Sequence, residues 1–378
     1  MGNVVFEKIQ KLWRFVQSHS ALAFQVNHRR MNLKELANKL GLSQTTVSRA
    51  LNGYTDVSEK TRERIVTAAA AAGYRPSPVA RRLATGRADA IGIIYPLMIH
   101  DLDDPYFLQV VSGMTEALGK SDMDLMLASA SKTDEIRTYQ RMIEGRRIDG
   151  MVVARTRLND ARLSYLAQKG IPFVAYGRSI LPAPYAWLDF DTAAGLRMAV
   201  ERLVSLNHQR IALLSGPQDL YFVTQSREGY LKAMGDAQLP IEQQYMVEGT
   251  LDRAGGYEAM TRLLSCNPRP TAVIVDNPPA GAGALRALIE AGVELRNEMS
   301  IIVHDGLPPD AFMGYDITAL QSSEPLAVGR KLIELMLALL DGESPENLQV
   351  LWQPTLKIGT SDGPCPVNIC TTVIPPAL

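Results

Sequence analysis

The chain has 378 residues, of which 46% are hydrophobic and 21% charged, and this composition excludes a disordered, collagen-like or disulfide-stapled protein. Its length predicts two or three domains. The net charge of −1 argues against a nucleic-acid binder only until it is divided along the chain: residues 1–30 carry +4, residues 31–87 carry +6 and residues 88–378 carry −11. A basic N-terminal part on an acidic body indicates an interaction module near the N-terminus.

The first thirty residues have a pattern of their own. Val5, Ile9, Leu12 and Val16 recur at helical spacing and predict an amphipathic helix. Two interpretations stay open: an extension outside the fold of the remaining chain, which we favour, or a helix that binds a partner or a membrane surface. No apolar run in the chain approaches the roughly 20 residues that a membrane span needs, so no membrane-spanning segment is predicted.

The next stretch has the spacing of two short helices. Apolar side chains recur at helical spacing through residues 33–40, and Gly41 follows as the expected helix stop. Ser43 is placed to cap a second helix, whose inner face carries Val47 and Leu51. Helix, short glycine-containing turn and helix together form the helix-turn-helix pattern.

The second helix presents a polar outer face suited to reading DNA. A helix of this kind fits the major groove, where arginine can bond guanine and where glutamine or threonine can reach base edges. An αα-hairpin of an enzyme is the alternative explanation of the same pattern. The outward-facing residues are Gln44, Thr45, Ser48, Arg49 and Asn52.

A third helix and a short basic segment come next in the chain. Ser58 is a second candidate cap, and the helix after it is expected to end at Gly73. Beyond two prolines, residues 79–84 allow barely two helical turns, which are marginal alone in water. Val79 and Leu83 lie on one face of this segment and would suit an apolar wedge in the minor groove. A plain basic linker is the alternative.

Residues 33–87 resemble the DNA-binding headpiece of the LacI/GalR family of bacterial transcription regulators, through the core TVSRALN and the later segment GYRPSPVARRLATG. The resemblance implies a headpiece over 31–76 and a hinge helix or linker over 77–89, with Leu83 as the minor-groove wedge. Lys34 departs from the aromatic or other backbone-contacting residue that the family usually has. The residues assigned to DNA are Asn32, Lys34, Ser43, Gln44, Thr45, Thr46, Ser48, Arg49, Asn52, Ser77, Ala80 and Leu83.

From Ala90 onward, seven apolar runs alternate with helical patterns: AIGIIYP, DLMLAS, GMVVAR, PFVAY, RIALLSG, AVIVD and MSIIVHD. Such alternation predicts βαβ units with parallel sheets. No GxGxxG follows the first run and no GxxxxGK[ST] occurs, so no nucleotide and no other cofactor is predicted.

The order of these units resembles the two-lobed, type I periplasmic-binding-protein-like α/β fold that the LacI/GalR core shares. The resemblance implies an effector-binding and dimerisation domain over 90–378. One lobe would comprise about 90–188 and 321–348, and the other about 189–320 and 349–378.

Polar and aromatic residues follow several of the predicted strands, where ligands of parallel sheets bind. Carboxylates and amides can bracket vicinal hydroxyls, and an aromatic face can stack on a sugar ring. The family has an aspartate at the position of Gly177 and an arginine at that of Ser226, which makes Arg227, one position later, a displaced candidate. The residues assigned to an effector are Asp104, Tyr106, Phe107, Arg178, Arg227, Asn277 and Asp305.

Catalytic interpretations find no support in the sequence. The five histidines lack metal-binding spacing, so no metal site is predicted, and no G-x-S-x-G elbow occurs. His304 and Asp305 are neighbours at the end of a predicted strand, so their side chains are expected on opposite faces and not as an acid–base pair. No enzyme is predicted.

The sequence thus predicts a DNA-binding transcriptional regulator, a homodimer on a pseudo-palindromic operator, that represses carbohydrate (α-glucoside among them) utilisation genes until a sugar or polyol releases it. An odd number of cysteines without C-x-x-C favours a reducing compartment, and we expect a cytoplasmic, nucleoid-associated protein. The alternative is a sugar sensor or transport-type binding protein without a role in DNA regulation.

Overall fold

A computed structural model gives the fold of the chain in two units, residues 1–87 and residues 88–378. Four predicted site residues lie outside the described residues, as does the segment 1–30: Ser77, Ala80, Leu83 and Asp104. Within the described ranges, no helix is long and apolar enough to cross a membrane. The described residues are 31–74, 86–95, 105–119, 121–130, 134–307 and 315–366.

The first unit contains three helices, α1 (Leu33–Leu40), α2 (Gln44–Leu51) and α3 (Glu59–Ala71). Their apolar faces meet in one small core, which explains the helical spacing seen in the sequence. The buried members of this core are Leu36, Ala37, Val47, Ala50, Val57, Ile65 and Ala69.

Caps fix the helix ends of this headpiece. Gly41 ends α1 in the left-handed conformation with φ 66°, and the Ser43 hydroxyl accepts a hydrogen bond from the Thr46 amide at the start of α2, which confirms both predictions. Ser58 differs: it precedes α3, but its hydroxyl pairs with the Thr61 hydroxyl and caps no backbone amide.

The first sheet of the second unit has six parallel strands in the order β11-β5-β4-β3-β1-β2. Its helices are α4 (Pro105–Leu118), α5 (Glu135–Glu144), α6 (Ala161–Lys169) and α11 (Pro325–Leu340). The strands are β1 (Ala90–Tyr95), β2 (Asp124–Ser129), β3 (Gly150–Val153), β4 (Phe173–Tyr176), β5 (Ala186–Phe190) and β11 (Gln349–Trp352). This lobe is called lobe 1.

The second sheet has the order β12-β10-β9-β8-β6-β7 and forms lobe 2. The predicted fold class, a helix-turn-helix domain followed by a two-lobed α/β core, is confirmed, except that the edge strand β12 runs antiparallel to β10. The helices are α7 (Thr192–Ser205), α8 (Tyr221–Asp236), α9 (Arg253–Leu264) and α10 (Pro278–Glu290), and the strands are β6 (Ile211–Leu214), β7 (Met246–Val247), β8 (Ala272–Val275), β9 (Ser300–His304), β10 (Thr318–Gln321) and β12 (Thr355–Lys357).

The chain crosses between the lobes three times: between Phe190 and Thr192, between Gln321 and Pro325, and between Trp352 and Thr355. The third crossing differs from the predicted lobe boundary at 349. The strand β11 pairs with β5 and therefore belongs to lobe 1.

Neighbouring helices approach each other closely at glycines. A Cβ atom on Gly329 of α11 would lie 2.0 Å from the Val110 oxygen of α4, and one on Gly283 of α10 would lie 2.0 Å from the Arg253 oxygen of α9. Only glycine permits such contact between backbones, so each of these helix pairs is packed without room for adjustment.

The cysteines do not follow the expectation drawn from their number. Cys266 is a free thiol, whereas Cys365 is disulfide-bonded. The odd count of cysteines is therefore no guide to the compartment of this chain.

Candidate DNA-reading and effector sites

The predicted DNA-reading residues come together on one face of α2. Gln44, Thr45 and Arg49 are exposed, while Val47 and Ala50 of the same helix are buried in the headpiece core. No acidic residue lies in the first turn of α2. The helix thus offers polar side chains and an uncompensated positive N-terminal dipole to a negatively charged surface.

Arg49 already has partners in the headpiece. Its guanidinium lies 2.7 Å from the Asp56 carboxylate, and its central carbon lies 4.9 Å from the centre of the Tyr54 ring. The side chains of Arg49 and Asp56 are about half exposed, at 45% and 52%, so the ion pair is weak. Arg49 can therefore leave Asp56 and bond another acceptor.

Several other residues assigned to DNA also have hydrogen-bond partners within the headpiece. Asn32 forms a capping box with Glu35 at the start of α1. The Asn52 amide donates to the Ser48 hydroxyl at 3.3 Å, and the Thr46 hydroxyl pairs with that of Ser43. Lys34 is exposed.

Two basic residues that the sequence marked only as charge have structural roles. Arg62 donates to the Tyr54 carbonyl at 2.7 Å, and Arg64 donates to the Leu40 carbonyl. These bonds tie α3 to the segments around α1 and α2, and no sequence pattern identified them.

In lobe 1, Arg178 follows β4 and lies beside a carboxylate that the sequence did not identify. Its Nε donates to Asp189 of β5 at 2.6 Å, and the Asp189 side chain is only 8% exposed. Burial raises the pKa of Asp189, and the hydrogen bond from Arg178 opposes that rise. Gly177 has φ 103°, and a Cβ there would lie 2.5 Å from the Thr156 hydroxyl oxygen. A carboxylate from the neighbouring strand thus lies beside Arg178, although position 177 itself has none.

The two aromatic candidates of α4 have different surroundings. Phe107 is buried among the apolar side chains of the core of lobe 1. Tyr106 is half-buried, with its hydroxyl 3.2 Å from that of Tyr176 at the end of β4. Of the pair, Tyr106 is therefore the one placed among the strand ends.

In lobe 2, Asn277 and Asp305 lie at the ends of β8 and β9 and are already hydrogen-bonded. The Asn277 oxygen caps α10 through the Ala280 amide, and its nitrogen donates to the Thr250 carbonyl and to Asp276. Asp305 accepts from the Ser322 amide at 2.9 Å. Asp305 also lines a cavity of about 660 Å³ together with residues of β10 and β12.

The prediction that His304 and Asp305 point apart is wrong. The His304 Nδ1 lies 3.3 Å from the Asp305 carboxylate. Asp305 has φ 57°, outside strand geometry, so the alternation of side chains ends before it. Burial lowers the pKa of His304, but Asp305 and Asp276 outweigh it and the net shift is upward.

Arg227 pairs with a residue that is not among the effector candidates. Its Nε is 3.7 Å from the Glu248 carboxylate, and 40% of its side chain is exposed. Ser226, which holds the position of the family's arginine, is fully buried, and its hydroxyl has no hydrogen-bond partner among the described residues. The structure provides no contact between Arg227 and Asn277 or Asp305.

Asp276, at the end of β8, was not singled out from the sequence. Burial raises its pKa to about 6, although the Asn277 amide and the Gly216 backbone donate to it. Because this folded pKa lies above the unfolded value of about 4, the contribution of Asp276 to stability is complete below about pH 4 and is lost as the pH rises through 6.

Replacing Asp276 by asparagine removes this dependence on pH, because an uncharged amide needs no proton. The effect of the substitution on the free energy of unfolding should therefore be more favourable at about pH 7.5 than at about pH 4, by on the order of 2 kcal/mol. Urea denaturation at both pH values measures this. The exposed Asp236→Asn provides the control and should keep the wild-type pH dependence. Identical pH dependence in both variants would contradict the role given to Asp276.

Comparison with known proteins matches both units. Residues 32–77 match the bacterial regulatory proteins of the lacI family. Residues 88–356 match the periplasmic binding proteins and sugar binding domain of the LacI family. The first match covers the helix-turn-helix headpiece, and the second covers most of the two-lobed core.

Individual relatives agree with these matches. The HTH-type transcriptional regulator RafR of Escherichia coli is 39% identical over 332 residues, covering 88% of this chain and 98% of the relative. A solved LacI-family regulatory protein from Chloroflexus aggregans is 32% identical, covering 73% of this chain and 99% of its own, with a TM-score of 0.64. A structure of the transcriptional regulator CelR in complex with cellobiose is 25% identical, covering 88% and 100%, with a TM-score of 0.67. This chain belongs to the LacI family of bacterial regulatory proteins.

Proposed function

We propose that the protein is a transcriptional repressor of carbohydrate utilisation genes, which binds a pseudo-palindromic operator as a homodimer and is released by a sugar or polyol bound between its lobes. The observation that carries the proposal is the exposed Gln44, Thr45 and Arg49 face on a helix capped and fixed by a folded headpiece. Two such helices, one in each subunit, would enter successive major grooves.

The charge of the chain supports the same assignment. The basic headpiece attracts phosphates, while the body carries −11 between residues 88 and 378 and is repelled from the duplex. Binding through several phosphate contacts should weaken steeply as salt is raised. Because the proposed target is chromosomal DNA, the proposal places the protein in the cytoplasm, in association with the nucleoid.

The polar residues at the strand ends of both lobes support a hydroxylated effector. Arg178 and Tyr106 of lobe 1, and Asp305 of lobe 2, combine a cation, a phenol and a carboxylate around the strand ends. Such groups bracket vicinal hydroxyls, and the solved relative in complex with cellobiose fits a carbohydrate. The assignment includes no catalytic step.

Replacing Arg49 by alanine is expected to weaken operator binding by about 1–3 kcal/mol, roughly a 5- to 150-fold loss, because one base loses its bidentate partner. Binding to random DNA should weaken much less. Gel-shift titration against an operator selected from random DNA measures both.

The matched control is Asp56→Asn, which removes the ion-pair partner of Arg49 but keeps the arginine. It should leave operator affinity intact or raise it slightly, since the free guanidinium no longer exchanges partners. If Arg49→Ala weakens binding to operator and random DNA equally, Arg49 contacts phosphate and reads no base.

The effector class is tested with the same operator complex. Maltose, cellobiose, melibiose and raffinose are added in turn, and at least one should release the DNA and raise the thermal stability of the free protein. If no carbohydrate on a wider panel changes either quantity, a sugar effector is excluded. Failure to bind any selected DNA would instead favour a sugar-binding sensor.

A further inference from the structure

Arg178 is held in place on several sides before any ligand arrives. Its Nε donates to Asp189 at 2.6 Å. Its guanidinium carbon lies 5.4 Å from the centre of the Trp187 ring and 5.2 Å from that of Tyr221, within the range of cation–aromatic attraction. Each contact restricts the side chain without using the two terminal nitrogens.

Those terminal nitrogens are the part of Arg178 left for a ligand. A guanidinium has five N–H donors in a planar fork, and the bond to Asp189 uses only the one on Nε. Among the described residues, no protein group accepts a hydrogen bond from either Nη atom of Arg178. With 26% of the side chain exposed, the fork remains accessible.

Tyr221 comes from lobe 2, so part of this arrangement crosses the cleft. The Tyr221 amide donates to the Thr156 carbonyl of lobe 1 at 2.9 Å, and the Leu158 amide donates to the Asp219 carbonyl at 2.9 Å. Residues 156–158 and 219–221 are therefore called the interlobe clasp.

An ion pair and a buried side chain reinforce the clasp. The Nε atom of Arg157 lies 3.5 Å from the Asp219 carboxylate, and the Arg157 guanidinium also contacts Glu135 at 3.2 Å. Leu220, opposite Arg157 in the short antiparallel bridge, is buried. The lobe that supplies Arg178 thus binds the segment that supplies Tyr221.

We propose that Asp189 and Tyr221 are positioning residues for Arg178, and that Tyr221 makes effector affinity depend on the interlobe clasp. This inference rests on the proposed function of the cleft as a carbohydrate site. Asp189 holds the Nε edge of the Arg178 guanidinium, and the aromatic rings hold its face. An arginine restrained in this way loses little side-chain freedom when its terminal nitrogens bond a ligand. When the clasp opens, the Tyr221 ring leaves and Arg178 regains that freedom, so affinity falls.

Isothermal titration with maltose and cellobiose tests the inference. Tyr221→Ala is expected to weaken binding by about three- to tenfold, because the ring contact is lost. Tyr221→Phe keeps the ring and should restore affinity to within about twofold of wild type. Asp189→Asn should weaken binding as Tyr221→Ala does, since the charged partner of Nε is lost.

The control is Tyr257→Ala. The guanidinium carbon of Arg286 lies 5.4 Å from the centre of that ring, so the same type of contact is removed on α9 and α10, outside the clasp. Unchanged affinity in this control and a loss in Tyr221→Ala support the inference. Equal affinity in Tyr221→Ala and wild type overturns it, as does failure of Tyr221→Phe to restore binding in a protein of wild-type thermal stability.

A ligand-free measurement separates this inference from the choice of effector. If the wild-type protein binds neither sugar, the proposed effector class is weakened, and positioning is judged from exchange of the Arg178 Nε proton by NMR. That exchange should be slow in wild type and in Tyr221→Phe, and about tenfold faster in Tyr221→Ala. Equal exchange rates in all three proteins would overturn the positioning role.

Discussion

Replacing Arg162 by methionine is expected to lower the free energy of unfolding of the core by about 3–5 kcal/mol. The Arg162 side chain is 1% exposed and donates to Asp160 at 2.7 and 2.9 Å and to Glu135 at 2.8 Å. It also donates to the carbonyls of Ala154 and Arg155. Methionine fills similar space but leaves the carboxylates with one buried cation fewer. Denaturant titration of the two proteins measures the difference.

The control for this variant is Arg286→Met. Arg286 lies 2.8 Å from the Glu290 carboxylate, the same separation as between Arg162 and Glu135, but its side chain is 69% exposed. Loss of an exposed pair should change the free energy of unfolding far less, because solvent screens the two charges. A loss at Arg162 no greater than that at Arg286 would show that the buried network contributes little to the stability of lobe 1.

Replacing Leu36 by alanine is expected to unfold the headpiece and reduce operator binding by more than about a hundredfold. Leu36 is fully buried in the same core as Val47 and Ile65, and a buried leucine-to-alanine change costs about 2–5 kcal/mol. A domain of this size has only a few kcal/mol to lose. Hydrogen exchange over residues 33–71, with gel-shift titration, measures both effects.

The effect should be confined to the first unit. Sugar binding and the thermal unfolding of residues 88–378 should stay at wild-type values, because the two units have separate cores. Val66→Ala is the control, since Val66 is about half exposed on α3 beside Ile65. Operator binding by Leu36→Ala equal to that of Val66→Ala would mean that the headpiece tolerates a cavity.

Strands buried on both faces were predictable from the sequence. All seven apolar runs are strands in the structure. Six are the inner strands β1, β3, β4, β6, β8 and β9, and the seventh is the edge strand β2, whose side chains are partly exposed. Helices cover both faces of a parallel sheet, so its inner strands become continuous apolar runs. Local composition is enough to reveal them.

Five strands were not predicted because they lack such runs. Three of them are edge strands, β7, β11 and β12, with two to four residues each, and their side chains are partly exposed in β11 and β12. In β5, the buried charge of Asp189 interrupts the apolar pattern, and its place in the sheet depends on pairing with β4 and β11. Long-range pairing decides these elements, and no short window of sequence contains it.

The candidate sites divide in the same way. Gln44, Thr45 and Arg49 share a face because helical spacing alone places them there. Asp189 and Tyr221 meet Arg178 only through strand pairing and contact between the lobes, which no local pattern encodes. Asp305 shows the limit of the period-two rule, which holds only while the backbone keeps strand torsions.

The three crossings between the lobes have a mechanical consequence. One residue separates β5 from α7, three separate β10 from α11, and two separate β11 from β12. Since the helices of each lobe meet at backbone distance through glycines, we expect each lobe to stay rigid and, once the interlobe clasp opens, bending to occur in the torsion angles of these few residues. The two lobes then move as rigid bodies about a hinge formed by the three crossings. We therefore expect a small shift at a bound sugar to produce a larger displacement at the ends of the lobes that lie far from the crossings.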